Sequence, residues 1–386
     1  MPASDQKQVS AAPMVGTTRR RVILMIGDGM GSNQRLAGQW SKVGLSGSLA
    51  MDSLPISGWI HTANVDGAVT DSAAAATAMA TGIKTENGYL GVDQTGATLS
   101  SILDLAQGRG LMTGLVVTSQ ITNATPAAFA SHITDRNLVL EIASQMLAHN
   151  VDILLGGGEG DWLPTSVTTC NGGSPGKRID DLNLVSEAQA VGYESICTQS
   201  EFTALSPGYH HLIGFFAFEK MIRPYNPTLA AMIDTALDSL STDPEGFFLM
   251  LEGSQIDTAS HVNDGSWMID NVKTFDDAVQ VAVDFANANT DTLLIVVADH
   301  ETGGMSIYQA AVCTSGDAGP FNIQGDGTFC THFSTTGHTG ADVPLTAMGP
   351  DSGYLSGLHE NTEIFTTMFR YLHSFYFVYL PASVKP

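Results

Sequence analysis

Arg21-Val-Ile-Leu-Met-Ile-Gly-Asp-Gly-Met-Gly31 joins an unbroken apolar run to a glycine-rich turn. A short continuous apolar run closed by turn residues reads as a strand buried on both faces, the pattern of a parallel sheet. Asp28 lies inside the turn, where it would face a pyrophosphate of its own sign, so a dinucleotide loop is discounted. The pattern recurs: residues 247–251 run into Glu252, and residues 292–298 run into Asp299-His300. Residues 100–109, 137–148, 228–239 and 267–288 are patterned as helices between such runs. Strands alternating with helices specify an α/β fold, a three-layer sandwich whose central, mainly parallel β-sheet is flanked by helices.

Ligands of such sheets bind beyond the carboxyl ends of the strands. Asp28, Glu252 and Asp299 each follow a strand at once, so the three acids converge. His300 comes with Asp299. Asp257 and His261 stand four apart, within one helical turn of each other. His338 lies in Gly337-His-Thr-Gly340. Carboxylate oxygens mixed with imidazole nitrogens suit zinc, and an oxygen-rich remainder suits magnesium.

Residues 69–91 supply the second half of a site. Alanines 73 to 76, 78 and 80 favour a helix, with Asp71 and Ser72 at its cap and first turn. A serine hydroxyl there meets free backbone N–H groups and the positive end of the helix dipole, an environment suited to phosphate. Farther on, Pro126 is read as the first residue of a helix on which His132 and Arg136, four apart, share a face. Clustered divalent ions, an exposed serine and an arginine able to fork onto two oxygens fit phosphoryl transfer.

The 386 residues carry a net charge of −23, which makes nucleic acid and anionic membranes poor partners. No apolar run has membrane-spanning length. Residues 1–18 are small and polar, a flexible N-terminal arm; 19–386 read as a single catalytic domain. Its even pattern breaks at about 159–226 and 306–335, taken as insertions with little sheet of their own in the first. The four cysteines allow three pairings, of which the most economical joins Cys170 to Cys197 and Cys313 to Cys330. Disulfides imply a periplasmic or secreted protein.

The motifs Gly27-Asp-Gly-Met-Gly31, Asp71-Ser-Ala-Ala-Ala-Ala-Thr77, Ile121-Thr-Asn-Ala-Thr-Pro126 through Arg136, Glu252 through His261, Asp299-His-Glu301 and Gly337-His-Thr-Gly340 together resemble the alkaline phosphatases. The resemblance spans nearly the whole catalytic core in the family's order. It implies hydrolysis of phosphate monoesters at alkaline pH through a phosphoserine on Ser72, with Arg136 binding the phosphoryl group. It implies two Zn2+ and one Mg2+ per chain. Asp257, His261 and His338 would hold the first zinc, and Asp28, Asp299 and His300 the second. Asp28, Thr125 and Glu252 would hold magnesium. A homodimer is compatible with the family pattern. Two positions depart from it: Asn123, where the family usually has Asp or His beside magnesium, and Thr258, where it often has Lys, His or Trp beside phosphate. The first implies weaker magnesium binding, the second weaker inhibition by phosphate.

Three other functions compete. A phosphodiesterase or phosphonate hydrolase would use the same metals, but a serine nucleophile and the Arg136 clamp favour monoesters. A sulfatase lacks its nucleophile precursor, since no cysteine precedes Cys170. A binding protein without turnover would need a lost catalytic group.

Overall fold

The computed structural model describes residues 19–206 and 208–373. The arm at 1–18 and the aromatic segment at 375–380 lie outside the described residues.

Among the described residues fifteen strands follow in chain order: β1 Arg20–Ile26, β2 Ile56–His61, β3 Met112–Gln120, β4 Ile153–Gly157, β5 Glu194–Ile196, β6 Leu212–Phe215, β7 Gly246–Glu252 and β8 Thr292–Val297, then β9 Glu301–Thr302, β10 Met305–Gln309, β11 Ala318–Asn322, β12 Thr328–Phe333, β13 His338–Thr339, β14 Val343–Met348 and β15 Gly357–Glu360. Ten of them form one sheet in the order β15-β2-β14-β8-β1-β7-β3-β4-β6-β5. From β8 to β5 every pairing is parallel. β14 alone runs against its neighbours β8 and β2, while β15 is parallel to β2.

The centre of the sheet is where the longest apolar runs fall. All seven residues of β1, all seven of β7 and all six of β8 are buried. Only a strand covered on both faces tolerates such runs, and helices supply the cover. One group packs around the long helix Gly265–Ala288, which touches Ser32–Val43, Leu229–Leu240 and Gln255–His261; another joins Ser72–Thr81 to Ala124–Ala130 and Thr362–His373. No helix among the described residues is long and apolar enough to cross a membrane.

Three local expectations are corrected. Residues 159–226 do contribute to the sheet: β5 and β6 extend its edge beyond β4. At three and four residues they are too short to show periodicity. The helix containing Pro126 begins at Ala124, capped by Asn123, so proline occupies the third position rather than the first. Its missing N–H still falls among the first-turn donors that have no intrahelical partner. That helix ends at Ala130, because Ser131 is extended (φ −148°, ψ 159°), and His132 and Arg136 therefore lie beyond it. The chain instead pairs with residues 88–91: Leu90 and Ile133 exchange both backbone hydrogen bonds, and the Arg136 amide donates to the Gly88 carbonyl.

Residues 305–333 include a three-stranded antiparallel sheet, β10-β12-β11, and a disulfide links Cys330 of β12 to Cys313 in the connection between β10 and β11. The other bond is Cys170–Cys197, so the pairing is the economical one.

Candidate active site

β1, β7 and β8 are adjacent, and their carboxyl ends carry Asp28, Glu252 and Asp299. The first turn depends on Gly29. Its φ of +70° is left-handed, and a Cβ there would come within 2.8 Å of the Asp257 Cα. The same turn sends the Gly29 amide to Asp299 Oδ1 at 3.0 Å, a bond doubled by the His300 amide at 2.9 Å. Asp299 Oδ2 is left facing His300 Nε2 at 3.2 Å. Asp28 Oδ1 lies 3.7 Å from the same nitrogen.

Asp257 and His261 occupy one turn of the helix Gln255–His261, with Asp257 Oδ2 3.2 Å from His261 Nε2. His338, on β13, brings its Nε2 to 3.5 Å from Asp257 Oδ1 and 3.1 Å from His261 Nε2. Both rings are anchored from behind: His338 Nδ1 donates to the Thr70 carbonyl at 2.8 Å and His261 Nδ1 to the Thr336 carbonyl at 2.5 Å. When neutral, each ring thus keeps a lone pair on Nε2, and the two lone pairs face each other. A cation between them removes that conflict, and anchoring of the far nitrogen is how metal-binding imidazoles are held. Two candidate ligand groups result, Asp257-His300-His338 and Asp28-Asp299-His300, sharing His300.

The electrostatics call for positive charge. Burial, then the negative charges of Asp299, Asp257 and Glu252, push the Asp28 carboxyl well above its ordinary range. Burial pushes Glu252 up to about 7. Asp28 Oδ1, Asp299 Oδ2, Glu252 Oε1 and Thr125 Oγ1 are buried without a hydrogen-bond partner among the described residues. Unsatisfied buried oxygens are expensive, and metal coordination is a standard remedy. The donor set fits divalent cations.

Ser72 opens the helix Ser72–Thr81 and points its Oγ at His300 Nε2, 3.3 Å away. Arg136 reaches the same place from the segment paired with residues 88–91. Its Nη1 donates to Asp71 Oδ2 at 3.0 Å and its Nη2 to Asn123 Oδ1 at 3.3 Å. Thr258 is half-buried in the helical turn of Asp257 and His261.

Several supporting residues escape sequence reasoning. Asp71 reads from the sequence only as a cap, yet its second oxygen holds Arg136. The Thr302 hydroxyl donates to Asp257 Oδ1 at 2.5 Å and stands 3.2 Å from His300 Nδ1, linking the two ligand groups. Ser254 donates to Glu252 Oε2 at 2.6 Å. Glu301, beside two ligands, is not turned to the site: it accepts from Gln34 and from the amides of Gly304 and Met305, bracing the loop after β8. Hydroxyls this common in composition carry no spacing signal. The cap at Asp71 is the one cue the sequence offers.

Comparison with known proteins bears on the family and the fold. The alkaline phosphatase family model matches residues 19–323. Alkaline phosphatase 3 of Bacillus subtilis is 31% identical over 428 residues, spanning 92% of this chain and 89% of that one. The structure of alkaline phosphatase from the Antarctic bacterium TAB5 superposes with a TM-score of 0.80 at 33% identity, over 92% of this chain and 98% of that chain. A mutant of the TAB5 enzyme, matched at a TM-score of 0.78 and 31% identity over 92% and 98% of the two chains, has magnesium bound in its M3 site. With the family match, the relatives and the fold in agreement, the chain belongs to the alkaline phosphatase family of metal-dependent enzymes that hydrolyse phosphate monoesters.

Proposed function

We propose that Ser72 is the nucleophile of this hydrolysis and Arg136 the group that binds the transferred phosphoryl. The observation that carries the reading is the 3.3 Å separation of Ser72 Oγ from His300 Nε2, the imidazole common to both ligand groups. Ser72 Oγ forms a bond to phosphorus as the bond to the ester oxygen breaks, giving a phosphoserine and an alcohol. The helix N-terminus and the Arg136 guanidinium, steadied by Asp71 and Asn123, neutralise the non-bridging oxygens. Water then cleaves the phosphoserine and releases inorganic phosphate.

Asp257, His261 and His338 are the residues for one zinc, and Asp28, Asp299 and His300 for a second. Asp28, Thr125 and Glu252 are those for magnesium. Bound there, the cations lower the pKa of the serine hydroxyl and stabilise the departing oxygen. The orphaned oxygens of Asp28, Asp299, Glu252 and Thr125 support this assignment. The two disulfides support a periplasmic or secreted location. Residues 19–386 are taken as one catalytic domain, and a homodimer rests on the family resemblance alone.

The test is hydrolysis of a chromogenic phosphate monoester beside its diester at alkaline pH, with zinc and magnesium, after chelation, and in Ser72→Ala. Monoester turnover abolished by both chelator and substitution is expected. Preference for the diester, or turnover retained by Ser72→Ala, overturns the assignment.

A further inference from the structure

A further group of metal-ligating side chains meets away from the carboxyl ends of β1, β7 and β8. Asp104, His132 and His149 each offer one atom, and these atoms lie within 4.8 Å of one another. None of the three belongs to the ligand groups of the active site. They come from separate segments: the first turn of the helix Ile102–Gln107, the stretch after the helix Ala124–Ala130, and the residue that ends the helix Val139–Ala148.

Asp104 and His132 are each held in a way that leaves an atom to spare. Asp104 Oδ2 accepts from the Ser101 amide at 2.7 Å in a capping box, so Oδ1 is not needed for the cap. His132 Nδ1 lies 2.8 Å from the Gly91 carbonyl. A carbonyl only accepts, so Nδ1 carries the hydrogen and the neutral ring keeps its lone pair on Nε2. An outer hydrogen bond to a backbone carbonyl is the usual support of a metal-binding imidazole. His149 Nε2 is 2.8 Å from Asp104 Oδ1. Despite that approach Nε2 is buried without a well-aligned hydrogen-bond partner among the described residues. The His132 and His149 rings stand 6.4 Å apart at 44°.

We propose that Asp104, His132 and His149 form a divalent transition-metal site, separate from the active site, that takes zinc through two imidazole nitrogens and one carboxylate oxygen. Three protein ligands with an open fourth position for water is an established zinc arrangement. The side chains of His149 and Asp104, 14% and 27% exposed, give water access. A metal here ties two helices to the segment that leads, four residues after His132, to Arg136.

The test counts metal in the holoenzyme. Wild-type protein and His149→Gln, both saturated with active-site metals, are equilibrated with micromolar zinc and assayed for bound metal and monoester hydrolysis. The wild type is expected to carry one zinc equivalent per chain more than the variant, with hydrolysis retained in the variant. Titration should show the extra ion bound at least about tenfold more weakly once a ligand is removed, a loss that even outer contacts produce. Asp104→Asn keeps an oxygen for the cap and gives the same loss if His149→Gln fails to fold. Equal zinc content in the wild type and the folded variants overturns the site.

Discussion

Arg136 donates to Asp71 Oδ2 at 3.0 Å while the other oxygen of the same carboxylate caps the helix that starts at Ser72, accepting from the Ala74 amide at 3.0 Å. One side chain therefore fixes the positions of two groups that must meet at phosphorus. The Gly88 amide also donates to Asp71 Oδ2, tying in the segment that pairs with residues 131–136.

Separating the two roles of Asp71 gives a paired prediction. Asp71→Asn keeps an oxygen for the cap but loses the ion pair, so the inhibition constant for phosphate should rise several-fold with Tm nearly unchanged. Asp71→Ala loses both. Removal of such a cap costs about 1 kcal/mol, which in a chain of this size lowers Tm by roughly 2 °C. Unchanged phosphate inhibition in both variants would show that Arg136 needs no help from Asp71.

Asn123 places a neutral amide beside Arg136 Nη2, at the start of the helix that carries Thr125. Asn123→Asp adds a negative charge near the magnesium ligands proposed above, so magnesium should bind more tightly, by about tenfold for 1.4 kcal/mol of added attraction. Calorimetric titration of chelator-stripped protein measures this without relying on turnover. No gain in affinity would mean that Arg136 absorbs the added charge.

Chelation should destabilise the fold as well as stop hydrolysis. Burial and mutual repulsion already push the carboxyls of Asp28 and Glu252 upward when no cation is bound. Each ion present at a hundredfold excess over its dissociation constant adds about 2.7 kcal/mol to the folded state. Thermal scans before and after chelation should therefore differ by several degrees, and zinc with magnesium should restore the higher value. Identical scans would show that no cation binds the folded state in preference to the unfolded chain.

The parts of this molecule that local pattern encodes are legible in its sequence. The continuous runs of β1, β7 and β8 announce central strands, and the acids at their ends announce a shared site. Arg136 is legible by residue type but not by its place in the fold. The i, i+4 spacing from His132 fits a helix, yet the extended Ser131 and the bonds from Leu90 to Ile133 prevail. That pairing spans more than forty residues, and no window on the sequence contains both partners. Thr302 and Ser254 are invisible for a related reason, since a hydroxyl acquires its role only from what the fold sets beside it.

The alkaline limit of the fold should depend on Tyr371. It lies fully buried in the last described helix, with its hydroxyl donating to the Asp291 carbonyl and Arg20 over its ring at 5.2 Å. Burial pushes its pKa up to about 12. In the unfolded chain a tyrosine ionises near 10. Between those values the native state holds a proton that the unfolded state has released, so stability is complete below pH 10 and falls as pH rises through 12. The gap between these two values is worth about 2.7 kcal/mol at most. Tyr371→Phe removes this titration but leaves the Asp291 carbonyl without its donor, costing about 1 kcal/mol at neutral pH. Burial raises Tyr193 and Tyr225 in the same direction, so the variant should keep part of the slope. Denaturant unfolding at pH 8, 10 and 11.5 should show the variant less stable at the first and closer to wild type at the last. Parallel losses in the two proteins would move the alkaline limit to another group.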